Sequence, residues 1–251
     1  MSIWTSASEL SHKPLTGLSW SSLFSFANGL SVADIGDHDQ GLRALAAAIV
    51  YARTNNLQFR SSVETALDWL VQAGQPSAEL VHWHTFGPYV LAADLIGHSS
   101  EPFGIWVRNV AEIWNEDGTT LLEKFQSDNT SVGAKIFGSL VAAYLYLDDT
   151  TKLNLVRTTF TSKLTGDDQL SDWDPDASWH VDPGTKRLVN PEFLKEGINI
   201  GGLIPEEQVL AGTFSGNQPA GAAVGAWGWI SGAVMGAWML QRFSVDIWET
   251  E

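Results

Sequence analysis

Apolar residues recur three or four positions apart along most of this chain, a spacing typical of amphipathic α-helices. In the first strong example the apolar positions share one face, and they are Leu42, Leu45, Ala46, Ile49 and Val50. The same pattern predicts helices over residues 41–54, 59–74, 88–97, 103–115, 133–147 and 150–163. Because short connectors join these segments, we expect antiparallel helical hairpins and an all-α fold.

The segments between and before these helices have a different character. The third helix is predicted to begin near residues 82–88, with Pro88 at its start, because a proline in the first helical turn loses no hydrogen bond. Residues 1–38 indicate an irregular, partly helical arm that packs across the first hairpin. From residue 164 to about 219 the periodicity is lost, and the Trp and Ile content there indicates long irregular loops that are ordered and functional.

Residues 220–240 contain no charged side chain, and their length alone would permit a membrane span. The glycines of this segment and its central tryptophans favour a helix packed in the protein interior instead. Gly228, Gly232 and Gly236 are four residues apart, a spacing that lets two helices approach closely. We therefore expect a packed helix and no membrane partner.

The composition limits the possible partners. The chain has 251 residues, 44% of them hydrophobic, with 12 Trp and 11 Phe, so we expect one globular domain over residues 1–251. A formal net charge of −15 argues against binding to nucleic acid or to an anionic membrane surface. An acidic polysaccharide remains possible if a local basic cleft holds it. The first residues lack the features of a signal peptide, so the predicted location stays open between intracellular, extracellular and virion-associated.

Several common chemistries are excluded by the residues themselves. The chain has no cysteine, which excludes disulfides, thiolate metal sites and cysteine nucleophiles. It contains no GxSxG, P-loop, GxGxxG or HExxH motif, so the usual hydrolase, nucleotide-binding and zinc-protease sites are not predicted. No cofactor and no metal is predicted.

Histidines lie before two of the predicted helices. His82 and His84 flank a tryptophan, and with no third ligand nearby a structural role or a single catalytic histidine is favoured over a metal site. His38 stands between Asp37 and Asp39, where a helix cap is favoured over a metal site.

Two polar loops carry further candidates. In the loop before the 133–147 helix, the Asn129 amide can hydrogen-bond a substrate carboxylate, and Lys135 can supply charge or act as a base. An ordinary helix start with a solvated lysine is the alternative. In the long aperiodic segment, Trp179 offers a stacking plane for a sugar, His180 an acid or base, and Asp182 an orienting carboxylate. The alternative there is a surface loop whose tryptophan closes the core.

A series of short segments along the chain resembles the alginate-lyase superfamily of polysaccharide lyases, in its bacterial and phage members. The resemblance covers most of the chain and depends on the order of the segments. These are His38-Asp39, 45–54 (LAAAIVYART), 89–97 (YVLAADLIG), 133–147, Ser178-Trp179 with Asp182-Pro183, Asn190-Pro191, 202–208 (GLIPEEQ), and Trp227 with Gly232-Ala233.

The resemblance implies an incomplete (α/α) toroid and cleavage of a uronic-acid polysaccharide by β-elimination. It implies carboxylate neutralisation by Asn129 and Lys135, and a base at His84 or His180. Support would come from Tyr89 or His38, and Trp179 and Trp227 would form a platform for the sugar. Further substrate contacts are expected from His82, Arg43 and Asp182.

The chain departs from such lyases at several positions of the resemblance. His84-Thr85 stands where they show Arg-Asn, Lys135 stands where they show His, and Gly225 and Gly228 lie where they show Tyr and Glu. Two other functions therefore stay open. One is a glycoside hydrolase, for which the candidate carboxylates are Asp39, Asp182 and Glu206. The other is a carbohydrate-binding or structural module without catalysis, for example in a phage particle.

Overall fold

A computed structural model describes residues 2–31, 39–74, 79–112, 119–127, 131–165, 194–195, 198–199, 223–244 and 247. The helices within these ranges are α1 (Ala7–Ser11), α2 (Leu18–Ala27), α3 (Asp39–Thr54), α4 (Leu57–Ala73), α5 (Glu79–Ile96), α6 (Glu101–Glu112), α7 (Leu121–Ser127), α8 (Ser131–Tyr146), α9 (Thr150–Thr165) and α10 (Ala223–Arg242). Strands β1 (Leu194–Lys195) and β2 (Ile198–Asn199) form one short antiparallel pair. The prediction of an all-α fold is confirmed for the described chain, and the toroid of hairpins stays a prediction.

Contacts divide the chain into two compact units. The first contains Met1–Thr120 and Ser139–Thr150, and the second contains Leu121–Gly138 and Thr151–Glu251. Helix α8 therefore contributes its first half to the second unit and its second half to the first unit. The expectation of one domain over the whole chain stays a prediction.

In the first unit, α3 contacts α1, α2, α4 and α5. Its buried face is rich in alanine, and Ala44, Ala47 and Ala48 are fully buried. Small side chains reduce the distance between the axes of packed helices, so α3 can pack against several helices at once. Leu42 is predicted on the apolar face and is 44% exposed. The spacing of apolar residues predicts a face of α3, whereas the helices packed around α3 determine which part of that face is buried.

The N-terminal arm forms α1 and α2, and both contact α3. The Arg53 guanidinium of α3 donates hydrogen bonds to two carbonyl oxygens of the arm. One belongs to Leu10 in the last turn of α1, and the other to Lys13, which follows that helix. The rings of Phe24 in α2 and Phe59 in α4 meet edge to face at 5.3 Å. The described part of the arm is thus partly helical and contacts both helices of the first predicted hairpin, while residues 32–38 lie outside the described residues.

Helix α5 begins at Glu79, so Pro88 lies inside the helix, and the prediction that Pro88 starts it is wrong. An internal proline removes one hydrogen bond and crowds a carbonyl one turn earlier, at a cost of about 3 kcal/mol. Burial offsets this cost, because Phe86, Val90 and Leu91 are at most 2% exposed. Fully burying one such side chain contributes about 1.5–3 kcal/mol. Tertiary packing therefore outweighs the local preference of the proline.

The sequence pattern did not predict α7, a helix of only seven residues that belongs to the second unit. Its Leu121 and Phe125, one helical turn apart, are both 1% exposed. The Phe125 ring lies 5.6 Å from that of Phe137 in α8, which stacks at 3.9 Å on Phe160 of α9. This aromatic stack joins three helices of the second unit.

Helices α8 and α10 of the second unit touch through their backbones. A Cβ added at Gly232 would meet the Ala134 carbonyl and lie 2.7 Å from the amide nitrogen of Lys135. A Cβ added at Gly236 would lie 2.6 Å from the Cδ1 atom of Phe137. The close approach predicted from the glycine spacing is therefore confirmed, and we call this contact the glycine seam.

Helix α10 buries one side and exposes part of the other. The residues at most 5% exposed are Ala233, Ala237, Met239 and Leu240. Val234 and Trp238 are 48% and 46% exposed. The packed helix predicted over residues 220–240 is confirmed from Ala223 onward, and none of the helices in the described ranges is long and apolar enough to cross a membrane.

We expect Gly232→Ala to lower the free energy of unfolding by about 1–3 kcal/mol, the usual cost of overpacking. The added Cβ meets backbone atoms of α8, which no change of rotamer can move away. Gly104→Ala is the matched control, because it lies inside α6 with no atom within 4 Å of an added Cβ. That control should gain up to about 1 kcal/mol from helix propensity. Urea unfolding followed by circular dichroism measures both, and an unchanged Gly232→Ala stability would contradict the seam.

Candidate functional site

The structure describes the residues of the predicted site to different extents. Side chains are described for Tyr89, Lys135 and Arg43. The helix backbone alone is described for His82, His84 and Trp227. The residues that lie outside the described ranges are His38, Asn129, Trp179, His180 and Asp182. Their joint arrangement around a sugar stays a prediction. The histidine pair expected just before a helix lies inside α5, because that helix begins at Glu79.

Tyr89 and Lys135 occupy packed helix positions in separate units. Tyr89 is 5% exposed and lies in α5 of the first unit. Lys135 is half-buried near the start of α8 in the second unit, and its amide nitrogen lies against Gly232. The contact with Gly232 therefore fixes the backbone from which the Lys135 side chain extends.

The guanidinium of Arg43 is held from several directions in the first unit. Its Cζ atom lies 4.8 Å from the centroid of the Phe26 ring, and 3.0 Å from where a Cβ would stand on Gly29. Its Nη2 atom is 3.9 Å from Oδ2 of Asp39, which is too long for a hydrogen bond. Its Nε atom is buried and has no hydrogen-bond partner among the residues that the structure describes. The side chain is 26% exposed, so the cation is fixed in place and still reachable from solvent.

Two shallow grooves in the first unit are lined by hydroxyl and amide groups. The groove beside Arg43 has a volume of about 530 Å³, and its lining residues are Ser21, Ser22, Ser25, Phe26 and Arg43. A second groove has a volume of about 400 Å³, and its lining residues are Leu30, Ser31, Gln58, Ser61, Ser62 and Thr65. Arg43 is among the residues predicted from the sequence, and the serines are not, because exposed serines on a helix carry no pattern that marks them as a site.

A polar cluster lies among aromatic rings of the first unit. The Tyr146 hydroxyl donates a hydrogen bond of 2.6 Å to the His98 carbonyl. The His98 ring meets Phe103 edge to face at 5.6 Å, and its buried Nε2 atom has no hydrogen-bond partner in the described ranges. Burial raises the pKa of Tyr146 from 10.0 to about 12, and the charge of Asp94 adds to this. Tyr146 therefore stays a neutral donor throughout the physiological range.

Tyr144 is a second tyrosine that the sequence analysis did not select. It is 1% exposed, and within the described part of the chain its hydroxyl has no hydrogen-bond partner. Burial, together with the charges of Glu112 and Asp149, raises its pKa above the ordinary value. Nothing in the hydrophobic pattern distinguishes Tyr144 from an ordinary core aromatic.

Comparison with known proteins gives no relative from which a function could be inferred. No protein-family model, no curated protein and no solved structure matches the chain. Within the described residues, no group of three or more His, Asp or Glu side chains is placed to hold a metal ion. The case for a function therefore depends on the described side chains and on the order in which the segments that resemble the lyases follow one another along the chain.

We expect Tyr146→Phe to lower the free energy of unfolding at neutral pH by about 1 kcal/mol, the usual contribution of one hydrogen bond. The variant should also change the alkaline profile. A raised pKa means that the folded protein binds the phenol proton more tightly than the unfolded chain. The stability it provides is complete below pH 10.0 and is lost as the pH rises through about 12. Urea unfolding over this range should show a shallower decline for the variant, and parallel profiles would contradict the assignment.

We expect Tyr144→Phe to leave the free energy of unfolding unchanged or to raise it by up to about 1 kcal/mol, because it removes a buried hydroxyl that has no partner. Tyr146→Phe is the matched comparison, since it removes a hydroxyl that has one. Urea unfolding at neutral pH measures both. A clear destabilisation by Tyr144→Phe would show that its hydroxyl has a partner, such as a buried water molecule.

Proposed function

We propose that this protein is a polysaccharide lyase that cleaves a uronic-acid polymer by β-elimination, on an incomplete (α/α) toroid. The observation that carries the proposal is the order in which its short segments resemble the alginate-lyase superfamily. The secondary structure supports it, because the segments 45–54, 89–97 and 133–147 lie mostly within α3, α5 and α8. The Trp227 segment lies within α10.

Elimination makes three chemical demands on the protein. The C5 carboxylate must be neutralised so that the C5 proton becomes acidic enough to remove. A base takes that proton, and the electron pair forms the C4–C5 double bond as the bond from C4 to O4 breaks. An acid gives a proton to the departing O4 oxygen. No redox change occurs, and the scheme requires no cofactor.

Lys135 is the cation proposed for the carboxylate, together with the Asn129 amide. The proposal draws support from the half-buried position of Lys135 and from the contact at Gly232 that fixes the backbone from which its side chain extends. A preorganised cation is worth more to a reaction than a mobile one, because it needs no reorganisation when charge develops. His84 or His180 is the proposed base.

Tyr89 and the tryptophans have supporting roles in this scheme. Tyr89 is proposed as a positioning residue, since a side chain that is 5% exposed orients its neighbours more readily than it reaches a polymer. Trp179 and Trp227 are proposed as the platform that stacks on a sugar ring. His38, His82 and Asp182 are proposed substrate contacts.

A second candidate function is saccharide binding without catalysis. The observation that favours it is substitution at positions where such lyases have Arg-Asn and His, which here carry His84-Thr85 and Lys135. A protein of this kind would hold an acidic polymer and leave its bonds intact. It shares the substrate class of the lyase and differs only in the chemistry.

The deciding experiment incubates the protein with alginate, glucuronan, hyaluronan and bacterial capsular polysaccharides and follows ultraviolet absorbance. The unsaturated uronic product of elimination absorbs, whereas the products of hydrolysis do not. Rising absorbance supports the lyase and identifies the polymer. Falling viscosity without absorbance indicates a glycoside hydrolase. Constant absorbance and viscosity, with retention on the immobilised polymer, indicates a binding module.

On the polymer that gives rising absorbance, we expect Lys135→Ala to lower kcat by about 10²–10³-fold, the typical loss when one charge-stabilising group is removed. Lys13→Ala is the control, because Lys13 is an exposed lysine of the N-terminal arm. It should leave kcat unchanged. Circular dichroism checks that both variants are folded. Full activity in Lys135→Ala would remove Lys135 from the mechanism.

A further inference from the structure

Three arginines of the first unit lie over aromatic rings, and they differ in how their remaining hydrogen-bond donors are used. Arg53 lies over Trp20, and its terminal nitrogens donate to backbone carbonyls. Arg60 lies over Tyr51, and it donates to Glu64 at 2.8 Å and to the Tyr51 hydroxyl at 3.1 Å. Both of these guanidinium groups hold the protein together.

The guanidinium of Arg43 lies over Phe26 in the same way and forms no hydrogen bond to the described chain. Among the described residues, the carboxylate recorded beside it is that of Asp39, whose Oδ2 atom is 3.9 Å away, beyond hydrogen-bond distance. A guanidinium has five N–H donors, and leaving them without partners in a partly buried place is costly. The Arg43 guanidinium nevertheless keeps this position, because the Phe26 ring covers one of its faces and Gly29, which has no side chain, leaves room beside its Cζ atom.

The groove next to this cation supplies neutral polar groups. Ser22 and Ser25 of α2 are exposed and line it together with Arg43. The hydroxyl of Ser21 donates to the Gly17 carbonyl and keeps its lone pairs for a ligand. A cation among hydroxyl groups, with an aromatic ring behind it, matches a ligand that carries one carboxylate and several hydroxyls.

We propose that the groove between α2 and α3 is a binding subsite for a uronate residue of an acidic saccharide. Arg43 binds the carboxylate, and Ser22 and Ser25 bind sugar hydroxyls. The choice of an acidic saccharide rests on the proposed function, whereas the carboxylate preference follows from the geometry of Arg43. Asp39 repels a small anion at the same place, so hydroxyl contacts are needed for binding, and a bare anion should bind more weakly than a uronate.

The first test is a nuclear magnetic resonance titration of the whole chain, which observes the Nε–Hε signal of Arg43. The signal is assigned by its loss in Arg43→Lys. Sodium glucuronate should shift it, glucose should leave it in place, and sodium acetate should shift it only at higher concentration. The Nε–Hε signal of Arg60 is the internal control and should not move, because its donors already have partners. No shift with glucuronate overturns the proposal, and equal shifts with acetate and glucuronate overturn its saccharide part.

The second test changes the groove without touching the core. Ser22→Asp places a carboxylate beside Arg43 at an exposed position and should weaken glucuronate binding by at least about tenfold. Ser22→Asn is the matched neutral variant and should bind within about twofold of the native chain. Equal affinity in the two variants overturns the proposal.

The two proposals can fail separately. If the Arg43 signal shifts with glucuronate and no polymer gives an unsaturated product, the subsite stands and the lyase reaction does not. If elimination occurs and Ser22→Asp leaves both the KM and the glucuronate titration unchanged, the lyase stands and the subsite does not.

Discussion

The contact of α10 with α8 at Gly232 and Gly236 is the constraint on which the second unit depends. At this seam the two helices are separated by no side chain on the α10 side, so any added atom meets the backbone or a ring. A contact of this kind fixes both the distance between the two helices and the rotation of each about its axis, because turning either helix would bring a side chain into the space that the glycines leave open. The residues around it, including Lys135, are positioned by the same contact. A proposed catalytic cation is therefore carried by one of the least adjustable parts of the unit.

The first unit uses a different device, the stacking of arginine on aromatic rings. Arg53 ties the N-terminal arm to α3, and Arg60 ties α4 to Tyr51. The terminal nitrogens of Arg53 and the Nε and Nη1 atoms of Arg60 donate to protein atoms, so these two cations contribute to stability. Arg43 has the same ring contact and no hydrogen bond within the described chain. The difference in donor use separates a structural arginine from one available to a ligand, and stacking on an aromatic ring is common to both kinds.

The sequence predicted long helices well, because their burial repeats at a period that the residues themselves display. It failed where the outcome depends on neighbours. Pro88 should start a helix by local preference, and burial of the flanking residues places it inside α5 instead. Leu42 has the right spacing for the core and is nevertheless 44% exposed. Helix α7 is too short to show a period. The grooves of the first unit were missed because exposed serines acquire meaning only from the cation beside them.

The net charge of −15 places a condition on any acidic polymer that binds here. At physiological ionic strength the repulsion between exposed charges is screened beyond about 8 Å, so the total charge matters mainly for the approach of the polymer. Binding itself depends on cations within a few ångströms, and these are most effective where water is partly excluded. Arg43 meets this condition, since its side chain is 26% exposed and its guanidinium lies over the Phe26 ring. Lys135 is a half-buried residue whose backbone lies against Gly232. An acidic protein can therefore bind an acidic saccharide through a few fixed, partly desolvated cations, with no need for a basic surface.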